Sequence, residues 1–142
     1  MKVRDIMSSP VEMIAPDAML TEAADKMKSY NVGVLPVEKD GDIVGVITDR
    51  DIVVRAIADE MDPQETPVSK AMTFDAMCCS EDTDMEEAAR IMEVKKIHRL
   101  LILDDDDEVS GILSIGDIAV KMGDEHLLCE VLERICEPSP VH

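Results

Sequence analysis

Two copies of one pattern follow each other along the chain, and this repeat limits the folds that the sequence can adopt. Residues 23–27 align with residues 88–92 at an offset of 65 positions, and residues 45–52 align with residues 111–118 at an offset of 66. An internal repeat predicts one structural unit for each copy, with the copies burying each other's apolar faces. The sequence therefore predicts a duplicated fold.

The length of the chain limits how independent the two copies can be. At 142 residues, the chain has room for one ordinary domain or for two very small ones that share a core. We predict two coupled repeats, residues 1–61 and 68–142, joined by the polar linker 62–67.

Apolar periodicity predicts the same order of elements in each repeat. Apolar residues recur at helical spacing after residue 18 and again after residue 84. Short β-branched runs with Asp-rich and Gly-rich turns predict a hairpin in each repeat. The expected fold is α/β of the α+β type, as two β-α-β-β-α repeats with a closing helix. The expected hairpin strands are 32–37, 43–47, 97–103 and 108–113, and the helices after them are 49–58, 115–122 and 125–135.

Two acidic residues are candidates for helix caps. Asp84 with Glu87 three residues later matches a capping box and predicts a helix that starts near residue 84. In the first repeat Met19 occupies the matching place and has no capping group, so we expect Asp17 to cap a helix that starts near residue 18.

The charge of the chain excludes some partners. It has 32 acidic and 14 basic residues, a formal charge of −18, no Trp, one Phe and one Tyr. Such a surface repels phosphate backbones and anionic lipids, and it lacks aromatic side chains for base stacking, so we expect neither nucleic acid nor membrane as a partner. No apolar run suggests a membrane span or a signal core, which predicts a cytoplasmic protein. The acidity suits a high-salt cytoplasm, although mesophilic proteins can be equally acidic.

The residue types needed for catalysis or metal binding are not arranged for those roles. The four cysteines form no Cys-x-x-Cys motif, and the three histidines are not spaced around them as zinc ligands would be. The acidic run Asp104–Asp107 is best explained as a soluble hairpin tip, with calcium binding as the weaker reading because no EF-hand pattern surrounds it. No nucleophile-base pair, P-loop or dinucleotide fingerprint is present. We expect a protein that is not an enzyme and holds no metal or cofactor.

The duplicated motif resembles that of the CBS (cystathionine-β-synthase) domain family. The segment Asn31–Val37 is followed by Gly45–Asp51, and Ile97–Ile102 is followed by Gly111–Asp117. Both copies match the pattern Gly-apolar-x-Thr/Ser-x-x-Asp, and the resemblance spans nearly the whole chain. It implies two repeats packed with pseudo-two-fold symmetry around two equivalent clefts that take an adenine nucleotide such as AMP.

The resemblance also implies a role for residues of each repeat. Asp51 and Asp117 would accept bonds from ribose hydroxyls, while Thr48 and Ser114 would reach a phosphate near a helix N-terminus. The same four residues also suit a purely structural role as helix caps, and that alternative stays open.

By the same resemblance, the strand of one repeat faces the cleft of the other. The first cleft would combine Thr48 and Asp51 with Ile97 beside the base and with His98 and Arg99 toward phosphate. The second cleft would combine Ser114 and Asp117 with an uncharged strand, and further residues would line the adenine pockets. That strand is Val32, Gly33 and Val34, and the further residues are Val11 and the pair Asp75–Ala76. Because one strand alone offers His and Arg, we expect the first cleft to bind phosphate more tightly.

These features favour a regulatory module that binds AMP, ADP or ATP and passes its state to an unidentified effector protein. The alternatives are an empty-cleft scaffold for protein interaction, or binding of S-adenosylmethionine. A homodimer is expected because related pairs pack through their helices and because the closing helix has an apolar stripe. Packing of this stripe within its own chain is the alternative. The stripe is Leu127, Leu128, Val131, Leu132 and Ile135.

Overall fold

The structure is a computed structural model that describes residues 1–74 and 77–137, and it divides into two compact units. One unit is continuous and runs from Glu12, whereas the other combines residues 1–11 with the chain from Met77 onward. This division differs from the predicted repeats, because the first eleven residues join the unit of the second repeat. Backbone bonds hold them there, including one from Val3 N to Thr83 O at 2.9 Å. By their places in the sequence alone, residues 12–74 are called the central unit below, and residues 1–11 with 77–137 the outer unit.

The central unit is built on a helix and a hairpin. Helix α1 (Leu20–Tyr30) precedes strands β1 (Val34–Lys39) and β2 (Asp42–Thr48), which pair antiparallel. Strand β2 leads into α2 (Asp49–Asp51), which continues as the π-helix Ile52–Ile57. The order therefore follows the prediction, except that the expected first strand is reduced to a single parallel bridge between Ile14 and Val37.

Apolar positions of α1 and the hairpin form the core of the central unit. The hairpin turn needs positive φ at two residues, Asp40 (53°) and Gly41 (86°), which is the chemistry that an Asp-Gly pair supplies. The helix buries residues spaced three and four apart, as its periodicity predicted. The core consists of Ile14, Leu20, Ala23, Met27, Leu35, Val37, Ile47, Ala56, Val68, Ala71 and Met72.

The outer unit has the complete predicted order. Its sheet has the order β3-β4-β5, with β3 and β4 parallel and β4 and β5 antiparallel. A parallel pair needs a crossover connection, and α3 provides it. The elements are β3 (Cys78–Ser80), α3 (Met85–Lys95), β4 (Arg99–Leu103), β5 (Val109–Ser114), α4 (Ile115–Asp117) with the π-helix Ile118–Met122, and α5 (Glu125–Cys136).

The apolar stripe of α5 packs largely inside the outer unit. Val131 and Ile135 are buried in the core that α3 and the sheet form, and Leu127 and Leu128 pack against it. Leu132 is 37% exposed. The expectation that this stripe needs a partner chain was therefore wrong for most of its length, because α3 already supplies the apolar surface that it covers.

Both caps predicted for the long helices were wrong, although the helix starts were close. Asp84 is the N-cap residue of α3, but its side chain makes no capping bond and instead pairs with Lys2 Nζ at 2.9 Å, which lowers the pKa of the Asp84 carboxyl. Glu87 pairs with Arg90. The N-cap of α1 is Met19 and has no side-chain bond either, so Asp17 does not cap it.

Within residues 1–74 and 77–137, no helix combines the length and the apolar character that crossing a bilayer requires.

Candidate functional site

Each predicted Thr/Ser–Asp pair closes a capping box where a hairpin strand runs into a helix. Thr48 is extended (φ −114°, ψ 161°), and its Oγ1 accepts the Asp51 N–H at 3.0 Å while Asp51 Oδ2 accepts the Thr48 N–H at 3.0 Å. Ser114 and Asp117 form the same pair of bonds at 3.1 and 3.0 Å. All four residues therefore have the structural role of helix caps, and the capping bonds fix the direction of both carboxylates.

The two carboxylates are buried and have further hydroxyl partners that sequence reasoning missed. Asp51 and Asp117 are each 8% exposed. In the central unit Thr73 Oγ1 donates to Asp51 Oδ1 at 3.2 Å, and in the outer unit Ser8 Oγ donates to Asp117 Oδ1 at 2.8 Å. A signal for both was present, because Met7-Ser8 and Met72-Thr73 repeat the same Met-hydroxyl pair.

The glycine at the start of each motif allows the segment that contains Thr73 or Ser8 to lie close against the motif's strand. Thr73 and Val46 exchange two backbone hydrogen bonds, at 2.8 and 2.9 Å. A Cβ atom on Gly45 would lie 2.5 Å from the backbone oxygen of Thr73. In the outer unit Ser8 and Ile112 exchange the same pair of bonds beside Gly111. The motif glycines are therefore explained by a close backbone approach.

A cation four residues after each aspartate joins this arrangement. Arg55 places Nε 3.7 Å from Asp51 Oδ1 and donates from Nη1 to Met72 O at 3.1 Å. In the outer unit Lys121 Nζ lies 3.3 Å from Asp117 Oδ1 and from Ser8 Oγ, and 3.5 Å from Met7 O. Each carboxylate thus has a capping bond, a hydroxyl and a cation around it.

The predicted strand residues lie beside the junction of their own repeat. Arg99 pairs in register with Ser114, and the Ile115 N–H donates to His98 O at 3.2 Å. The side chains of His98 and Arg99 are exposed, whereas Ile97 is half-buried against the outer core. Because Thr48 and Asp51 belong to the central unit, their meeting with these residues in one cleft remains a prediction.

The second strand has the same relation to its own junction in the central unit. Val34 pairs with Thr48, and the Asp49 N–H donates to Gly33 O at 3.0 Å. Val34 is 8% exposed, whereas Val32 is 40% exposed. Val11 is half-buried, and the predicted pocket residues Asp75 and Ala76 lie outside the described residues.

Comparison with known proteins identifies the family of this repeated junction. The family model for the CBS domain matches residues 3–57 and again residues 68–124. The chain belongs to the CBS domain family. The predicted resemblance and the α+β fold class are thereby confirmed.

Relatives of the chain include both small and large CBS proteins. CBS domain-containing protein YhcV of Bacillus subtilis is 39% identical over 118 residues, which cover 83% of each chain. Inosine-5′-monophosphate dehydrogenase of Methanocaldococcus jannaschii is 36% identical over 118 residues, which cover 82% of this chain and 23% of that enzyme. A pair of CBS repeats can thus stand largely alone or form a minor part of an enzyme.

A solved relative shows the fold together with ligands. The CBS domain pair of protein MJ0100, in complex with 5′-methylthioadenosine and S-adenosyl-L-methionine, superposes with a TM-score of 0.75 at 28% identity and covers 87% of this chain and 96% of that one. Both ligands of that protein contain an adenosine group.

Proposed function

We propose that this chain is a non-catalytic regulatory module that binds adenine nucleotides, AMP, ADP or ATP, at its two CBS junctions. The observation that carries the proposal is the duplicated buried carboxylate, which a capping box aims in the same way in both units. Two oxygens of a fixed carboxylate are suited to the two hydroxyls of a ribose. Asp51 and Asp117 would take the ribose, and Thr48 and Ser114 would contact phosphate oxygens.

A ribose hydroxyl can take the place of the hydroxyl that already bonds to each carboxylate. In each unit one carboxylate oxygen already accepts a hydroxyl, from Thr73 or from Ser8. A ribose hydroxyl is a donor of the same kind, so it can replace or join this bond without leaving the buried charge unpaired. The resemblance further implies phosphate contacts from His98 and Arg99.

We propose no catalytic role for this module, and two observations on the described residues support this. Burial raises the pKa of the Cys78 and Cys79 thiols, which leaves little thiolate to act as a nucleophile at neutral pH. In residues 1–74 and 77–137, no three or more His, Cys, Asp or Glu side chains are arranged so that they could hold a metal ion. We therefore propose that the module signals to an effector protein in the cytoplasm through a differential affinity of the nucleotide for two of its states.

A scaffold that leaves its clefts empty is the second candidate, and a specific observation favours it. Both carboxylates are fully satisfied by their own unit, and no buried side-chain nitrogen or oxygen among the described residues lacks a partner. No buried side-chain polar atom of the described junctions therefore needs a ligand as its hydrogen-bond partner. Binding of S-adenosylmethionine is a variant of the first proposal and is supported by the ligands of MJ0100.

A thermal-shift series with adenosine, AMP, ATP and S-adenosylmethionine separates these functions. A ligand at about 100 times its dissociation constant should stabilise the folded protein by about 2.7 kcal/mol, because it binds the native state alone. We expect the largest rise in melting temperature with an adenine nucleotide. Guanosine monophosphate has the same ribose and phosphate as AMP, so it is the matched control for recognition of the adenine base. A flat response to all four adenosyl compounds would leave the scaffold as the function.

We also propose that the module works as a homodimer. Apolar side chains that follow the two aspartates are exposed, including Val53 (59%), Ile57 (51%) and Val120 (83%). They occupy equivalent π-helical segments of the two units. The family resemblance implies packing through helices, and contact with a second chain would remove this apolar surface from water.

Sedimentation equilibrium in high salt should give about twice the chain mass of 15.7 kDa at micromolar concentration. Val54→Glu, in the same exposed segment, should shift the protein to monomer because a charge would be buried in the interface. Val94→Glu, at an exposed apolar residue of α3, is the control and should remain dimeric. A monomeric wild-type protein would contradict the proposal.

A further inference from the structure

The cation beside each carboxylate has no role in the function proposed so far. Arg55 and Lys121 occur at the same place in the two repeats, four residues after Asp51 and Asp117. Their side chains are 53% and 43% exposed, whereas the carboxylates that they approach are 11% and 10% exposed. Half-exposed ion pairs contribute little to folding stability, so stability alone is a poor explanation for a duplicated cation.

Charge at the ribose end of the site affects the choice of ligand. A phosphate on the same sugar would be held within one sugar length of the Asp51 carboxylate, and the chain as a whole has a charge of −18. At such short range, and with water partly excluded, repulsion between like charges is substantial. A cation that remains at the carboxylate would remove most of this penalty for a charged ligand and change little for a neutral one.

Arg55 is held so that it can remain in place when a ligand binds. Its Nη1 donates to the backbone oxygen of Met72, and its Nε faces Asp51. The guanidinium has five N–H donors, so a ribose can take the carboxylate oxygens without releasing the bond to Met72. Lys121 is anchored in the same way, through Met7 O and Ser8 Oγ.

From these contacts we infer that Arg55, and Lys121 in the other repeat, are specificity-determining residues that let a ribose-binding carboxylate accept an anionic adenosine ligand. The inference rests on the proposed function, since it concerns the charge of the ligand at that same site. It assigns the cations no contact with the adenine. They set the ratio between affinities for adenosine nucleotides and for uncharged adenosine.

Titration calorimetry with adenosine, AMP and ATP tests the inference on Arg55→Gln, Arg55→Lys and the control Lys28→Gln. Lys28 lies in the same unit on α1, so its replacement removes the same charge away from the junction. The site that contains Asp51 is identified as the binding phase lost in Asp51→Ala. Arg55→Gln should weaken AMP on the order of tenfold and ATP more, while adenosine stays within about twofold. Arg55→Lys and Lys28→Gln should bind like the wild type.

Equal weakening of adenosine and AMP in Arg55→Gln would overturn the inference and show that Arg55 merely holds the Met72 segment. Unchanged affinity for all three ligands would also overturn it. Either result leaves the proposed function intact. If the wild type binds none of the three, the proposed function fails together with the inference. Lys121→Gln is a second, independent variant. It should lower the ratio of the affinity for AMP to the affinity for adenosine at the other site.

Discussion

Asp51→Ala is expected to weaken binding of an adenosine ligand by at least a hundredfold at one of the two sites. Hydrogen bonds to a charged group are worth about 1.5–3 kcal/mol each, and a ribose would lose two of them. A loss of about 3 kcal/mol corresponds to roughly a hundredfold in the dissociation constant. Calorimetry with AMP measures this loss directly.

Two matched variants make this result specific. Asp49→Ala removes the same charge from the same turn. Among the described residues, the exposed Asp49 carboxylate accepts only the neighbouring Arg50 N–H, so the affinity of this variant for AMP should stay within about twofold of the wild type. Asp117→Ala should remove the other, weaker binding phase, because His98 and Arg99 are expected to serve the Asp51 site. Equal losses from Asp51→Ala and Asp117→Ala would contradict this difference between the sites. Asp51→Ala and Asp117→Ala also lose the carboxylate bond of a capping box, worth about 1 kcal/mol, so folding should be checked by circular dichroism.

Gly45→Ala is expected to lower the free energy of unfolding by about 3 kcal/mol, at the upper end for an overpacked site. The new Cβ would lie 2.5 Å from the Thr73 backbone oxygen, and a backbone atom cannot turn away as a side chain can. The pair of bonds between Val46 and Thr73 would have to separate. Urea denaturation followed by circular dichroism measures the change.

Alanine substitutions at two other glycines are the controls for this prediction. At Gly116 the nearest atom to an added Cβ is Ser114 Oγ at 3.5 Å, so Gly116→Ala should change the stability by less than about 0.5 kcal/mol. At Gly111 the closest atom belongs to the flexible side chain of Met7, so Gly111→Ala should cost less than Gly45→Ala. A Gly45→Ala protein as stable as the wild type would mean that the segment after Met72 is not fixed against β2.

Local patterns in the sequence predicted the hairpins and the buried helix faces because their causes are local. The turn at Asp40 and Gly41 requires positive φ, which this pair of residues tolerates, and the apolar residues of α1 recur at the helical period. The cap that Thr48 and Asp51 form was also predicted as an alternative to ligand binding, since both residues lie within one motif. Both copies of the motif were visible in the sequence alone.

Long-range partners could not be predicted in this way. Ser8 and Asp117 are separated by 109 residues, and Thr73 and Asp51 by 22, so no local period connects them. The capping box expected at Asp84 failed for a similar reason. Lys2, which is distant in sequence, competes for the carboxylate with the backbone of α3. Side-chain bonds that depend on tertiary approach are beyond a single-sequence argument.

The discontinuous outer unit has a consequence for the order of folding during synthesis. The central unit is made from one continuous stretch, so all of its core residues have been synthesised once residue 74 has been added. The segment with Val3 and Ile6 must wait for Leu100 and Val131, which belong to the same core and are synthesised later. Contacts of such high sequence separation form slowly because they close a long loop. These two apolar side chains therefore stay without their core during synthesis of the whole central unit, as transiently exposed apolar surface that is prone to aggregation.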